Sequence, residues 1–162
     1  VTRIHQLRGI SCTFPENWQL SEDGADERLA SFTLQSPHTA FMSVYVCRDS
    51  GQSRPLIDEM AALLSKEYEG VERVEFEPEE LEWGAFDTED ATEDLQGVEL
   101  NFYYLDLLVT TRLIAYTAGT QTVLVQCQAE DREFQALESV FQAMLISMMM
   151  KTRNEKTSPD PS

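Results

Sequence analysis

The chain has 162 residues, 42% of them hydrophobic and 25% charged, the proportions of one soluble globular domain with enough apolar material for a core. Its formal net charge of -17 repels phosphate and anionic headgroups, which sets aside nucleic acid and acidic membrane surfaces while leaving basic partners and cations open. No apolar run is long enough for a membrane span.

In chain order, the opening VTRIHQLRGI lacks the apolar core of a signal peptide and reads as an N-terminal arm or edge strand over residues 1–9. A trimmed N-terminus, and so an exported mature form, stays open. ISCTFPENWQL alternates Ile10, Cys12 and Phe14 against polar neighbours, turns at Pro15, and resumes with Trp18 and Leu20. SEDGADER is a polar loop around Gly24. LASFTLQ and FMSVYVCR read as strands joined by the hairpin-like SPHT. A helix is expected over about 54–69, with Ser53 as cap, Pro55 in its first turn and Gly70 beyond its end.

VERVEFE, LEWGAFDTE and GVELNFYYLD then read as alternating strands; in the second, Leu81, Trp83 and Ala85 share a face. LLVTTRLIAYTAG and TVLVQCQA are apolar on both faces, as strands at a covered sheet centre must be. In EDREFQALESVFQAMLISM, Phe134, Leu137, Phe141, Met144, Leu145 and Met148 recur at helical spacing, with Glu130, Asp131 and Glu133 placed to favour the helix N-terminus. Residues 151–162 read as a disordered tail. The expectation is a single α+β domain over residues 1–150, an antiparallel sheet of about six or more strands packed against two helices.

That order resembles the PsbP-like fold, shared by the photosystem extrinsic protein PsbP, a Ran-binding nuclear-transport factor and bacterial DcrB-type proteins. The opening ISCTFPENW and the ending TVLVQCQAEDREFQALESVFQAMLISM carry the resemblance. It implies helices packed on an antiparallel sheet, and a binding or accessory role rather than catalysis.

Little in the chain looks like chemistry. There is no G-x-S-x-G, no P-loop and no G-x-G-x-x-G, and no cofactor is expected. His5 and His38 read as exposed histidines of the arm and of a turn, too few and too remote for a zinc site. A Cys47–His38 pair across a hairpin is the one nucleophile arrangement that the spacing allows. Cys12, Cys47 and Cys127 are odd in number and widely spaced, which fits a reducing, cytoplasmic setting with buried free thiols; a Cys12–Cys127 or Cys12–Cys47 bridge is the alternative.

The stretch Glu75 to Asp94 holds ten carboxylates and no basic residue. Its simplest reading is the solvated side of half-buried strands and a polar connection, with charges that block edge-to-edge aggregation. The alternative is a calcium site using Asp87, Glu89 and Asp90, with Glu93 and Asp94 nearby. A surface of Tyr45, Tyr103, Leu105 and Tyr116 is expected on a sheet face that helices leave partly open. Together these features point to a non-enzymatic binding or accessory module with a protein partner or a small apolar ligand. A homodimer is allowed. An uncharacterised enzyme or a calcium-binding protein is the alternative.

Overall fold

The structure, a computed structural model, describes residues 1–89 and 91–157. Nine strands and two helices follow one another as β1 (Thr2–Leu7), β2 (Ile10–Pro15), β3 (Gln19–Ala25), β4 (Leu29–Gln35), β5 (Phe41–Cys47), α1 (Ser53–Glu67), β6 (Glu72–Phe76), β7 (Glu93–Tyr104), β8 (Leu107–Ala118), β9 (Gln121–Glu130) and α2 (Asp131–Thr157). Strands β3 to β9 form one sheet in the order β3-β4-β5-β9-β8-β7-β6, and β1 and β2 pair separately. Every pairing among them is antiparallel. The protein is α+β, as the element pattern requires.

The last strand, β9, lies at the sheet centre, and this explains why its sequence is apolar on both faces. One face of β8 and β9 carries Ile114, Tyr116, Val123, Val125 and Cys127 into a layer built by α2 and the β1–β2 hairpin. The opposite face carries Leu113, Ala115 and Leu124 against α1, where Leu56, Ile57, Ala61 and Leu64 meet them. The alternation of period 2 in the strands thus feeds two separate cores.

Of the two readings of residues 1–9, arm or edge strand, the segment is a paired strand: Leu7 lies opposite Ile10 across a turn made by Arg8 (φ +49°) and Gly9 (φ +83°). Other local expectations are corrected. The polar SEDGA belongs to β3, a sheet-edge strand with a register shift between Glu22 and Gly24; an edge strand can be polar because one side has no partner strand to pack against. LEWGAFDTE is not a strand. A single 3-10 turn at Pro78–Glu80 and Gly84 at φ +64° break the extended path. Trp83 is buried through a loop instead, its indole N–H donating to the Pro78 carbonyl at 2.8 Å.

Ser53 does not cap α1. Gln52 holds that position without a side-chain hydrogen bond, and the buried Ser53 hydroxyl finds no partner among the described residues. Helix α2 runs on to Thr157, well into the stretch 151–162 that reads as a tail; residues 158–162 of that stretch lie outside the described residues.

The start of α2 is tied to the β4–β5 hairpin by Glu133. Its carboxylate accepts from the Thr39 backbone N–H at 3.0 Å, the Ala40 N–H at 3.3 Å, the Ser36 hydroxyl at 3.3 Å and the Thr39 hydroxyl. Partial burial pushes this carboxyl up, but the four donors outweigh it and hold it below the usual glutamate range. A depressed folded-state value stabilises the fold above the unfolded-state value, and that contribution is lost as pH falls through the folded one. Glu133→Gln should therefore be less stable than the parent at pH 7. In urea titrations the difference should shrink as the pH falls through the carboxylate range; a constant difference would show that the tie is not charge-dependent.

Candidate functional site

Helix α1 covers only the half of its sheet face built by β7, β8 and β9. The half built by β4 and β5 stays open, and a groove of about 570 Å³ runs between it and the side of α1. The register explains its lining. Ser43 lies opposite Gln126, and Tyr45 opposite Leu124, on adjacent strands, so Leu29, Phe41, Tyr45 and Leu124 face the groove in period-2 fashion. From α1 come Met60, Leu63 and Leu64, spaced three and four residues apart along one helical edge, and the residue just past the helix end, Tyr68, extends that wall. Leu63 is 55% exposed, a large apolar side chain on the rim.

The floor is polar. Gln126 is buried; its side-chain N–H donates to Gln128 Oε1 at 3.1 Å, and the same oxygen accepts from the Thr111 hydroxyl at 2.8 Å. Further along the face, the Thr33 and Ser43 hydroxyls share a hydrogen bond of 2.7 Å. Among the described residues, Gln126 Oε1 and Gln128 Nε2 have no partner. One acceptor and one donor on hydrogen-bonded neighbouring glutamines are thus left over in a groove whose walls are mostly apolar. Burial, more than the neighbouring Asp23, pushes the Tyr45 phenol up, so that it is a neutral hydroxyl at physiological pH.

Of the surface expected from sequence, Tyr45 stands in the groove wall. Tyr103 (70% exposed) and Leu105 (78% exposed) lie at the β7–β8 hairpin tip instead, beside the exposed Tyr104 and Leu107. Tyr104 meets Tyr68 edge-on at 5.6 Å, so one side chain of the tip adjoins the end of the groove. Tyr116 does not join them. It is fully enclosed in the α2 layer, its hydroxyl without a partner among the described residues. A strand apolar on both faces gives no sign of which face is open, and that is why sequence misplaced it. Met60, Leu63, Gln126 and Gln128 were missed; Leu63 and the glutamines within apolar strands were the available signals.

The other candidates separate. His38 lies in the β4–β5 turn, and Cys47 lies buried at the far end of β5 opposite Leu29, so the Cys47–His38 pair does not form. His5 is not an exposed arm residue: its ring packs edge-on against Phe32 at 4.7 Å and lies 3.5 Å from Glu22. All three cysteines are free and buried. Cys47 faces the α1 layer while Cys12 and Cys127 face the α2 layer, which rules out a Cys12–Cys47 bridge without refolding. Burial pushes the Cys12 thiol up to about 12 and raises that of Cys127 as well, so neither is a ready nucleophile.

In the acidic stretch all nine described carboxylates are exposed. Glu75 is engaged by Arg54 and Arg73. Asp87 accepts the Glu89 backbone N–H at 3.0 Å, closing a local turn. Asp90 lies outside the described residues. Among the described residues, no three His, Cys, Asp or Glu side chains converge on a point that could hold a metal. Millimolar calcium is expected to raise the melting temperature no more than sodium of equal ionic strength. A dedicated site at hundredfold excess over its dissociation constant would add about 2.7 kcal/mol. A shift of that size, abolished by Asp87→Asn with Glu89→Gln, would show that the acidic stretch holds a metal site and is not merely solvated.

No helix among the described residues is long and apolar enough to cross a membrane. No protein-family model matches the chain, and no curated protein matches it. Among solved structures it is similar to PA94 from Pseudomonas aeruginosa, a protein of unknown function and candidate regulator, at 14% identity over 99% of each chain with a TM-score of 0.39.

Proposed function

We propose that the protein is a non-enzymatic binding or accessory module, and that its ligand lies in the groove between α1 and the open half of the sheet. The observation that carries this is the combination of apolar walls with an uncommitted amide pair, Gln126 Oε1 and Gln128 Nε2, on the floor. Binding sites are commonly concave and mostly apolar, with a few placed polar groups that set orientation. A ligand with only hydrocarbon would leave both glutamine groups dehydrated and unpaired, which costs affinity. An apolar ligand that carries an amide satisfies both, since its C=O accepts from Gln128 and its N–H donates to Gln126. A protein segment or a small apolar amide meets this requirement, and the accessory role accords with the PsbP-like resemblance. The buried, unpaired thiols favour a reducing compartment, and we infer a cytoplasmic setting.

Decanamide is a direct probe. It should bind by calorimetry at one site, at least about tenfold more tightly than decanoate, whose carboxylate cannot donate and meets the acidic body. Leu63→Asp should abolish binding, and Gln128→Leu should remove the preference for the amide. Equal binding of decanamide to the parent and to Leu63→Asp would overturn the reading.

A further inference from the structure

The β7–β8 hairpin breaks two rules of its own kind. Tyr104 pairs with Leu107, leaving Leu105 and Asp106 as a two-residue turn, and both have positive φ, +50° and +65°. Such a turn favours Asn-Gly or Asp-Gly, because a branched apolar side chain is disfavoured in the left-handed region. Leucine there is unfavourable for the fold. It is also unfavourable for solubility, since the tip sets four large side chains, Tyr103, Tyr104, Leu105 and Leu107, half or more in water. A residue that breaks a local rule without a gain inside the chain points to a gain outside it.

The same molecule holds the complement. The groove begins at Tyr68, which Tyr104 touches, so convex tip and concave groove lie next to each other, as a two-fold dimer with reciprocal contacts requires. A two-residue turn also presents backbone N–H and C=O groups at its apex, the amide chemistry that Gln126 and Gln128 leave unanswered. Charge does not drive the fit: Asp106 is the charge at the apex, and the groove's lining holds Glu59 and Glu67 as well as Arg28, which lies 3.8 Å from Asp49.

We propose that the occupant of each groove is the hairpin tip of a second copy of this chain, so that two copies close each other's sites in a reversible, reciprocal dimer. A groove ligand then competes with the tip. The proposal rests on the groove reading above. Self-repulsion between two bodies of charge -17 opposes the dimer, so added salt tightens it.

The test is sedimentation velocity over a concentration series up to the order of 100 µM, on the parent, Leu105→Asn and Leu63→Asp. Asparagine suits the left-handed turn, so Leu105→Asn keeps the hairpin and removes only the apolar tip. The parent should dimerise, and each variant alone should be monomeric. An equimolar mixture of the two variants should recover a heterodimer, because it retains one intact tip and one intact groove. Decanamide should dissociate the parent dimer. A monomeric parent, or a Leu105→Asn protein that dimerises as the parent does, overturns the proposal. So does a Leu63→Asp protein that still dimerises, which would mean that tips pair with tips. Decanamide binding to monomeric Leu105→Asn separates the two claims: binding without any parent dimer leaves the groove reading standing and ends this one, and absence of binding ends the groove reading itself.

Discussion

Phe141→Ala is expected to cost about 3–5 kcal/mol, the usual range for removing a fully buried aromatic ring. Phe141 is 2% exposed. Its ring meets Trp18 edge-on at 6.0 Å and lies 5.2 Å from Phe134, so it locks α2 to the turn after β2. Marginal stability makes such a loss a large fraction of the total, about 5–15 kcal/mol for a typical domain. Urea denaturation followed by tryptophan fluorescence measures it directly, since Trp18 sits beside the cavity that would form. A loss below about 1 kcal/mol would mean that α2 is not seated by this ring.

Gly97→Val should cost about 1–3 kcal/mol by overpacking. Gly97 pairs with Phe76 across β6 and β7, and a Cβ there would stand 2.6 Å from Phe76 Cζ and 3.0 Å from Pro78 Cγ. The missing side chain lets the Phe76 ring fold over the strand towards Arg112, whose guanidinium lies 5.7 Å from it. That guanidinium also lies over Phe134 at 5.0 Å and pairs with Glu138 at 3.1 Å. A valine would therefore displace Phe76 and loosen the edge strand β6. The check is a double-mutant cycle: in a Phe76→Ala background the penalty of Gly97→Val should fall sharply. An unchanged penalty would place the strain in the β7 backbone instead.

These two residues show how far the sequence could be read. The spacing of Phe134, Phe141 and Leu145 declares a helix and its buried face with no knowledge of the rest, and the two-faced apolar pattern of β8 and β9 declares a covered sheet centre. Gly97 carries no such message, because its reason lies in a residue of a neighbouring strand. The loop around Trp83 was misread for a related cause: alternation in LEWGAF imitates a strand, and Pro78 and Gly84 decide otherwise. Strand β1 was ambiguous because TRIHQL buries little on either side.

The site was the least legible part. Tyr45, Tyr103 and Leu105 could be singled out as aromatic or apolar residues in excess of the core pattern. The groove itself exists because α1 lies over one half of the sheet and not the other, and no local pattern records where a helix docks. Gln126 and Gln128 in an otherwise apolar strand, and Leu63 on the outer side of α1, were the local irregularities that pointed to it.

Strand order also bears on how the chain is made. Strand β5 has β9 as its inner neighbour, with Val44 opposite Val125. Ribosomes add about 5–20 residues per second, so roughly 4–16 s separate the synthesis of these two residues. Throughout that interval the hairpin of β4 and β5 carries an unsatisfied, apolar inner edge, a template for the wrong partner. Closure joins strands far apart in sequence and is correspondingly slow. Nascent chains of this protein are thus expected to depend on holding factors at the ribosome exit, and stalled fragments ending before β9 to aggregate where the finished chain does not.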